Sequence, residues 1–567
     1  MKDQSSALQL VEGSASGPVL ACDTGISFWG GIDPQTGRVI DVHHPNHGDD
    51  VSGRVLAMPT SRGSCSGSGV LLELALNGKA PAALVFCEDE ETLTLGALVA
   101  ARVFDRLVPV LRLTKRWYEP LCAAHSVTLR GGLLTIDAQT VAVRQIDAGS
   151  LSLTEADRRV LDGEDGPARQ IAMEVLCQMA ASQGASALRD VTRGHIDGCI
   201  LAHDANLIFA EKLAAMGAEV TIPTTINAIS VDRENWPSQE LPTDFGDRAS
   251  RLADAYVKMG AQPTFTCAPY LLDQPPVQGE AIGWSESNAV IYANTVLAAR
   301  TVKHPDYLDL FIAMTGRAPV SGVYTDEGRR ARRIVEVQLP AVVGKGVDES
   351  IWALLGWLVG RASPDRIPLV RGLEDATLGP DDLKSICAAF GTTSGAPMLH
   401  IAGHTPEAHL AAAEATDTLV LTAADFADAW GELNQATLPV DLVAIGSPHA
   451  SLSECQHLAA LLGQQTCVAA PMIVTVGRSV LAQARTDGTL AALERAGVRV
   501  IPDICWCSIT EPVFPPSAQS VLTNSGKYAH YAFGLSGRHV RLAGLADCVA
   551  AAVSGGTPEK PDCLTLL

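Results

Sequence analysis

Charged residues make up only 19% of this 567-residue chain, and aromatic residues only 5%. Positive charge is the scarcer sign: 42 Lys+Arg stand against 63 Asp+Glu, for a formal net charge of -21. A nucleic-acid partner is held by clustered positive charge, and no such cluster occurs, so none is expected. No apolar run approaches the roughly 18 residues that a membrane span needs. The first residues, Met1-Lys2-Asp3-Gln4-Ser5-Ser6, lack the apolar stretch of a signal peptide, which makes the cytoplasm the expected location. Cys-X-X-Cys repeats are missing, which argues against a zinc ribbon or a ferredoxin-type cluster. The Gly-Lys-Ser/Thr ending of a phosphate-binding P-loop is missing too. So is a strict Gly-X-Ser-X-Gly: Gly63-Ser64-Cys65-Ser66-Gly67 has Cys at its centre, and a serine hydrolase is not supported.

Hydrophobic residues reach 47%, which excludes disorder as the main state. At roughly 150 residues per domain the length suggests three to four domains. Fourteen cysteines are expected as free thiols or metal ligands in a reducing compartment. Cys22, Cys87, Cys122, Cys177, Cys467 and Cys548 lie in apolar stretches and read as small core hydrophobes.

The first 140 residues alternate short β-rich runs with two helical ones. Strands are expected at 19–22, 26–29, 38–42, 54–59, 82–86 and 108–111, and a helix from Thr92 to Phe104. Between strand 54–59 and a helix opening at Val70 lies the loop Thr60-Ser61-Arg62-Gly63-Ser64-Cys65-Ser66-Gly67-Ser68-Gly69. Its glycines let backbone amides converge, and the helix start behind them favours an anion, including a serine alkoxide. After about residue 145 come an N-cap at Thr154, a helix from Pro167 to Ser182, and a strand-like run His195–Leu201. A helix over 206–216 and a strand over 218–222 follow. Towards the C-terminus strands at 442–446, 472–475 and 498–502 alternate with helices at 452–462 and 491–497. Repeated strand–helix units imply parallel sheets with covered faces.

Ligands bind beyond the carboxyl ends of such strands. That rule selects three tips: Ser447-Pro448-His449, Asp503-Ile504-Cys505-Trp506-Cys507, and Pro223-Thr224-Thr225-Ile226-Asn227. Cys505 and Cys507, adjacent but one, should point to opposite sides of an extended chain, so at most one faces a given site. Cys267, in Thr264-Phe265-Thr266-Cys267-Ala268-Pro269-Tyr270, sits in a loop that Pro269 should hold extended. Trp284-Ser285-Glu286-Ser287-Asn288-Ala289 reads as a helix start capped by Ser285 or Ser287. Lys527, after Gly526 in a polar turn, is either a carboxylate-binding charge or a solvated lysine.

Together these residues resemble the aconitase X family, over nearly the whole chain. The Arg-Gly-Ser loop is similar to that of the family's small swivel subunit, and the rest to its large subunit, fused here in the order small then large. That order, with His195-Ile196-Asp197-Gly198-Cys199, resembles the single-chain type. The implied fold is α/β and multi-domain: an N-terminal β/α swivel domain (1–145), then a large-subunit-like region (146–567) of two to three α/β subdomains with parallel or mixed sheets and covering helices.

The resemblance implies dehydration of cis-3-hydroxy-L-proline, a small imino acid, by a chain acting as a monomer. Dehydration of another hydroxy acid such as 5-phosphomevalonate is the alternative, and an iron–sulfur redox sensor is a second one from a different class. The family's iron–sulfur cluster has three protein ligands. Motif by motif these fall on Cys267, on Cys505, and on Ser447 in Gly446-Ser447-Pro448-His449, where the two-chain type has Cys. Ser447 could bind iron through oxygen, or a smaller cluster could form, and a two-iron [2Fe-2S] cluster is expected. Cys455 is a poorer substitute because it would face along a helix. The family's proton acceptor maps to Ser64, and its substrate contacts to Gly198, Cys199, Asn227, Ala228 and Lys527.

Overall fold

A computed structural model describes residues 7–338, 348–411, 417–435, 438–561 and Leu564. The fold is mixed α/β, and the chain divides into two compact units. One runs up to Thr224 and adds Asp254–Ala261 and His304–Ser321; the other holds Thr225–Ala253, Gln262–Lys303 and the chain from Gly322 onward.

The first unit contains a closed eight-stranded barrel. Around it run Ala7–Val11, Gln139–Gln145, Leu133–Ile136, Ser126–Arg130, Ala15–Ala21, Val55–Ala57, Ala83–Phe86 and Val110–Arg112. Ser126–Arg130 alternates exposed and buried residues with the period of two that one covered face requires. Val55–Ala57 and Ala83–Phe86 are buried at every residue, as parallel strands are when helices cover their outer face. Helices Gly67–Leu76 and Thr92–Phe104 pack on each other, and Thr92–Phe104 follows the expected bounds. The run 26–29 forms no strand, and the three strands between Ser126 and Gln145 were not foreseen. Their polar, Thr-rich faces resemble loop composition, and closure of the barrel is what gives them partners.

Outside the barrel, Thr154 caps helix Glu155–Leu161 through a reciprocal pair with Asp157. Helix Pro167–Ser182 matches expectation. The strand at Gly194 ends already at Ile196, and residues 218–222 form none; the strand there is Thr224–Ile226. The apolar run Ala218–Ile222 is instead tied by Val220 N–H to Met259 C=O and by Thr221 N–H to Ala313 C=O, 2.8 and 2.9 Å.

The second unit carries two parallel sheets. The smaller has the order His400–Ile401, Pro368–Arg371, Arg333–Gln338, Thr418–Thr422. The larger runs Val498–Pro502, Met472–Val476, Leu442–Ala450, Ser520–Thr523, His539–Leu542. Two largely buried helices, Ser350–Ala362 and Pro380–Thr393, pack closely side by side. The approach depends on missing side chains: a Cβ on Gly356 would lie 2.2 Å from the Ile386 carbonyl oxygen. Helix Gly526–Ser536 starts against this pair, where a Cβ on Gly526 would meet Ala389 at 3.0 Å and Ala353 at 3.2 Å. Among the described residues no helix is long and apolar enough to cross a membrane.

Candidate active site

In the first unit the strand Val55–Ala57 leads through the Arg-Gly-Ser loop into helix Gly67–Leu76, which begins three residues earlier than expected. Gly63 holds φ +95 and would drive a Cβ to 2.2 Å from Ser27 Oγ, so only glycine fits there. Ser64, half-buried, follows it. Its Oγ accepts weakly from the Ser66 backbone N–H (3.3 Å) and donates to Ser66 Oγ (3.4 Å), next to the helix start. Both the N–H and the helix dipole favour negative charge on that oxygen. Ser68 Oγ donates to the Cys65 and Asp306 carbonyls, each at 3.1 Å, and so pins the helix start. Cys65 Sγ and one carboxylate oxygen each of Asp197 and Asp306 lie within 4.8 Å of one another. Gly198 and Cys199 are buried in the turn after Ile196: Tyr256 Oη donates to Gly198 C=O (3.2 Å) and Cys199 Sγ to Ile196 C=O (3.3 Å).

The second unit gathers Asn227, Ala228, Cys267, Ser447, Cys505 and Lys527 around one network. Ala228, Cys267 and Cys505 form a small buried cluster with Cys507 packed against it. Cys505 is the middle sulfur, within hydrogen-bond reach of both Cys267 and Cys507. Cys505 and Cys507 therefore serve the same place, contrary to the alternation expected of an extended chain. Asp503 takes a left-handed φ of +71 and residues 506–508 are a turn, which swings both sulfurs to one side. Asp503 is held there by Arg478 through two bonds, 2.7 and 2.6 Å.

Pro269 likewise opens a short 3-10 turn instead of extending its loop. The Cys267 sulfur accepts the His449 backbone N–H at 3.3 Å, and the Cys505 sulfur that of Cys507 at 3.5 Å. The His449 ring joins the two cysteine loops. Its Nε2 donates to Ile504 C=O (2.8 Å), leaving Nδ1 to accept from the Thr266 hydroxyl (3.1 Å). Burial holds this imidazole below its ordinary pKa, in keeping with that neutral form. Ser447 is buried within the long strand Leu442–Ala450, and its Oγ has no hydrogen-bond partner among the described residues. Its carbonyl accepts from Ser525 Oγ, and that same hydroxyl caps helix Gly526–Ser536 by accepting the Tyr528 N–H.

Lys527, on the first turn of that helix, is buried (7% exposed) and paired with Glu286, Nζ to Oε1 2.7 Å. It is not a solvated lysine. Glu286, rather than Ser285 or Ser287, caps helix Ser287–Thr295 by accepting the Asn288 N–H. It also accepts from the side chains of Asn227 (3.1 Å) and Asn288 (2.5 Å). Burial alone would raise the Glu286 pKa, but Lys527 and these bonds hold it below the usual carboxylate range. Burial would lower the Lys527 pKa, but Glu286 and the three thiols raise it well above normal. The pair is ionised.

Residues 4–138 match the aconitase X swivel domain, 150–327 the first domain, 331–431 the second and 440–554 the third. A cis-3-hydroxy-L-proline dehydratase of Pseudomonas aeruginosa is 47% identical over 564 residues, covering 97% of this chain and 96% of its own length. This chain belongs to the aconitase X family. A second relative, a cis-3-hydroxy-L-proline dehydratase of Hypocrea jecorina, is 44% identical over 96% of this chain and 94% of its own. The crystal structure of aconitase X from Thermococcus kodakaraensis, in its holo-form, shares 30% identity with a TM-score of 0.65; it covers 71% of this chain and 100% of that one.

Sequence reasoning placed His449 and Cys507 in candidate strand tips without giving either a role, and missed Glu286 as a member of the network. Glu286 looked like part of a capping run, and only the burial of Lys527 shows that a counter-charge was needed. The other free thiols fall elsewhere. Cys455 lies in the hydrophobic core. Cys467 is exposed instead of buried, and Cys87 and Cys122 are only half-buried.

Proposed function

We propose that this protein is a hydro-lyase that dehydrates cis-3-hydroxy-L-proline to Δ1-pyrroline-2-carboxylate, acting in the cytoplasm as a monomer. The observation that carries the reading is the buried row of cysteine sulfurs beside the Lys527–Glu286 ion pair, in a chain matched end to end by relatives with that activity.

The residues fit an iron–sulfur cluster. Soft thiols select iron–sulfur chemistry over hard cations. Backbone N–H groups already point at two of the sulfurs, the usual electrostatic support of such clusters. Cys65, Asp197 and Asp306, with one thiol and two carboxylates, lack that donor set. In this reading Cys267 and Cys505 hold the cluster, with the unpartnered Ser447 hydroxyl as third ligand and two irons bound. Bound there, the cluster would supply a Lewis acid for the departing C3 hydroxyl.

The chain supplies the rest. Ser64 takes the proton from C2, its alkoxide stabilised by the Ser66 N–H and the helix start. Gly198 and Cys199 present backbone to the substrate, and Asn227 and Ala228 line it. Lys527 holds the carboxylate, which keeps C2 acidic as charge develops there. Loss of the C2 proton and the C3 hydroxide yields an enamine and water, and the enamine tautomerises to the cyclic imine.

Ser64→Ala should reduce turnover of cis-3-hydroxy-L-proline at least a thousandfold while leaving the absorption spectrum and iron content unchanged. Retained turnover in the anaerobically purified variant would remove Ser64 from the base role.

A further inference from the structure

The Lys527–Glu286 pair is incomplete as a hydrogen-bonded unit. Both residues are buried, with Lys527 7% and Glu286 9% exposed. The ammonium has three N–H donors, and among the described residues one is used, on Glu286. On the carboxylate, Oε1 accepts from Lys527 and from the side chain and backbone of Asn288. Among the described residues Oε2 accepts only from Asn227, at 3.1 Å, so one acceptor position stays open there. Asn227 is itself held in register, since its Oδ1 accepts the Ala228 N–H at 2.7 Å. Open donors on a buried cation thus stand beside an open acceptor on a buried anion. Leaving charged groups under-bonded in a desolvated place is costly, so the vacancy calls for a ligand that fills both.

A ligand with one carboxylate and one N–H-bearing cation on the same carbon satisfies both at once. Its insertion gives four charges of alternating sign and buries no net charge. A hydroxy acid or a phosphate ester offers acceptors for Lys527 but nothing for Oε2 and sets like charge against it, which discriminates by repulsion. We propose that Glu286 Oε2 binds the ring ammonium of the substrate while Lys527 Nζ binds its carboxylate, so that this ion pair selects α-imino acids over carboxylates of the same shape. The assignment rests on the dehydratase reading above and adds to it the residue that recognises nitrogen.

Calorimetric binding to the iron-loaded chain tests it with two unreactive five-membered rings, L-proline and cyclopentanecarboxylate, which differ in the nitrogen. The wild-type chain should bind L-proline about 10- to 100-fold more tightly, the range of one charge-assisted hydrogen bond. Glu286→Gln should bring the ratio close to one, and Glu286→Asp, which keeps the charge, should retain most of it. A wild-type ratio near one, or an undiminished ratio in Glu286→Gln, overturns the assignment; if the Gln variant does not fold, the wild-type and Asp ratios decide. A chain that prefers L-proline but does not turn over cis-3-hydroxy-L-proline overturns the dehydratase reading and leaves the role of Glu286 standing.

Discussion

In the proposed cluster site, Ser447 and Cys507 are the two side chains that would make the third ligand an oxygen or a sulfur. Ser447 has a buried hydroxyl without a partner among the described residues, and Cys507 has a thiol one step along the row from Cys505. With Ser447 as ligand, Ser447→Ala should lower bound iron, and Ser447→Cys should restore it with an absorption spectrum shifted towards all-thiolate ligation. Cys507→Ala should then leave iron content unchanged; loss of iron in that variant instead would give the position to Cys507. Iron and sulfide counts with the visible spectrum distinguish the two.

His304 carries another consequence at this scale. Burial pushes its pKa from 6.5 down to about 3. Below pH 6.5 the unfolded chain takes up a proton that the folded chain refuses until near pH 3, so stability is lost as pH falls through that window. His304→Gln, which cannot take up that proton, should lose less thermal stability between pH 6.5 and 4.5, as read by melting curves.

Elements place these side chains by close packing. Lys527 stands where it does because helix Gly526–Ser536 begins in contact with Ala353 and Ala389 of the paired helices. Gly526→Ala adds a methyl into that contact and should raise KM for the substrate several-fold with little effect on iron content. Gly356→Ala is harsher, because its neighbour is the Ile386 carbonyl oxygen, which cannot rotate away. Overpacking costs about 1–3 kcal/mol and exceeds the gain of roughly 1 kcal/mol from replacing a helical glycine. The variant should melt at a lower temperature and, where folded, keep its iron. The His449 ring acts similarly at the loops: it joins Thr266 to Ile504, and so sets the spacing of Cys267 and Cys505.

At the scale of the whole molecule, the swivel domain and the three other aconitase X domains are carried by one chain. No second subunit is needed to complete the set, and the protein should sediment as a single chain. A group that binds the folded state alone stabilises it by mass action. Removal of iron by a chelator under anaerobic conditions should lower the melting midpoint, and iron with sulfide should restore it. The excess of acidic over basic residues, 63 against 42, disfavours polyanionic partners, in line with a small-molecule substrate.

The amino-acid sequence determined by itself what depends on neighbours in the chain. Helices Thr92–Phe104, Pro167–Ser182 and Leu452–Leu462, and strand Val498–Pro502, follow from local periodicity and caps, and their bounds agree with expectation. The strand-tip rule named Asn227 and Cys505, which follow strands Thr224–Ile226 and Val498–Pro502, and Ser447, which lies inside the longer strand Leu442–Ala450 instead of beyond its end. Tertiary structure alone decided what depends on partners remote in the chain. The strands between Ser126 and Gln145 needed barrel closure, and Glu286 needed Lys527, 241 residues away, to become more than a helix cap. Cys507 joined Cys505 only through a turn started by a left-handed Asp503, a conformation that Arg478 holds by pairing with a buried carboxylate. Local sequence encodes periodicity and caps; counter-charges and convergent sulfurs arise only when distant segments share the same desolvated volume.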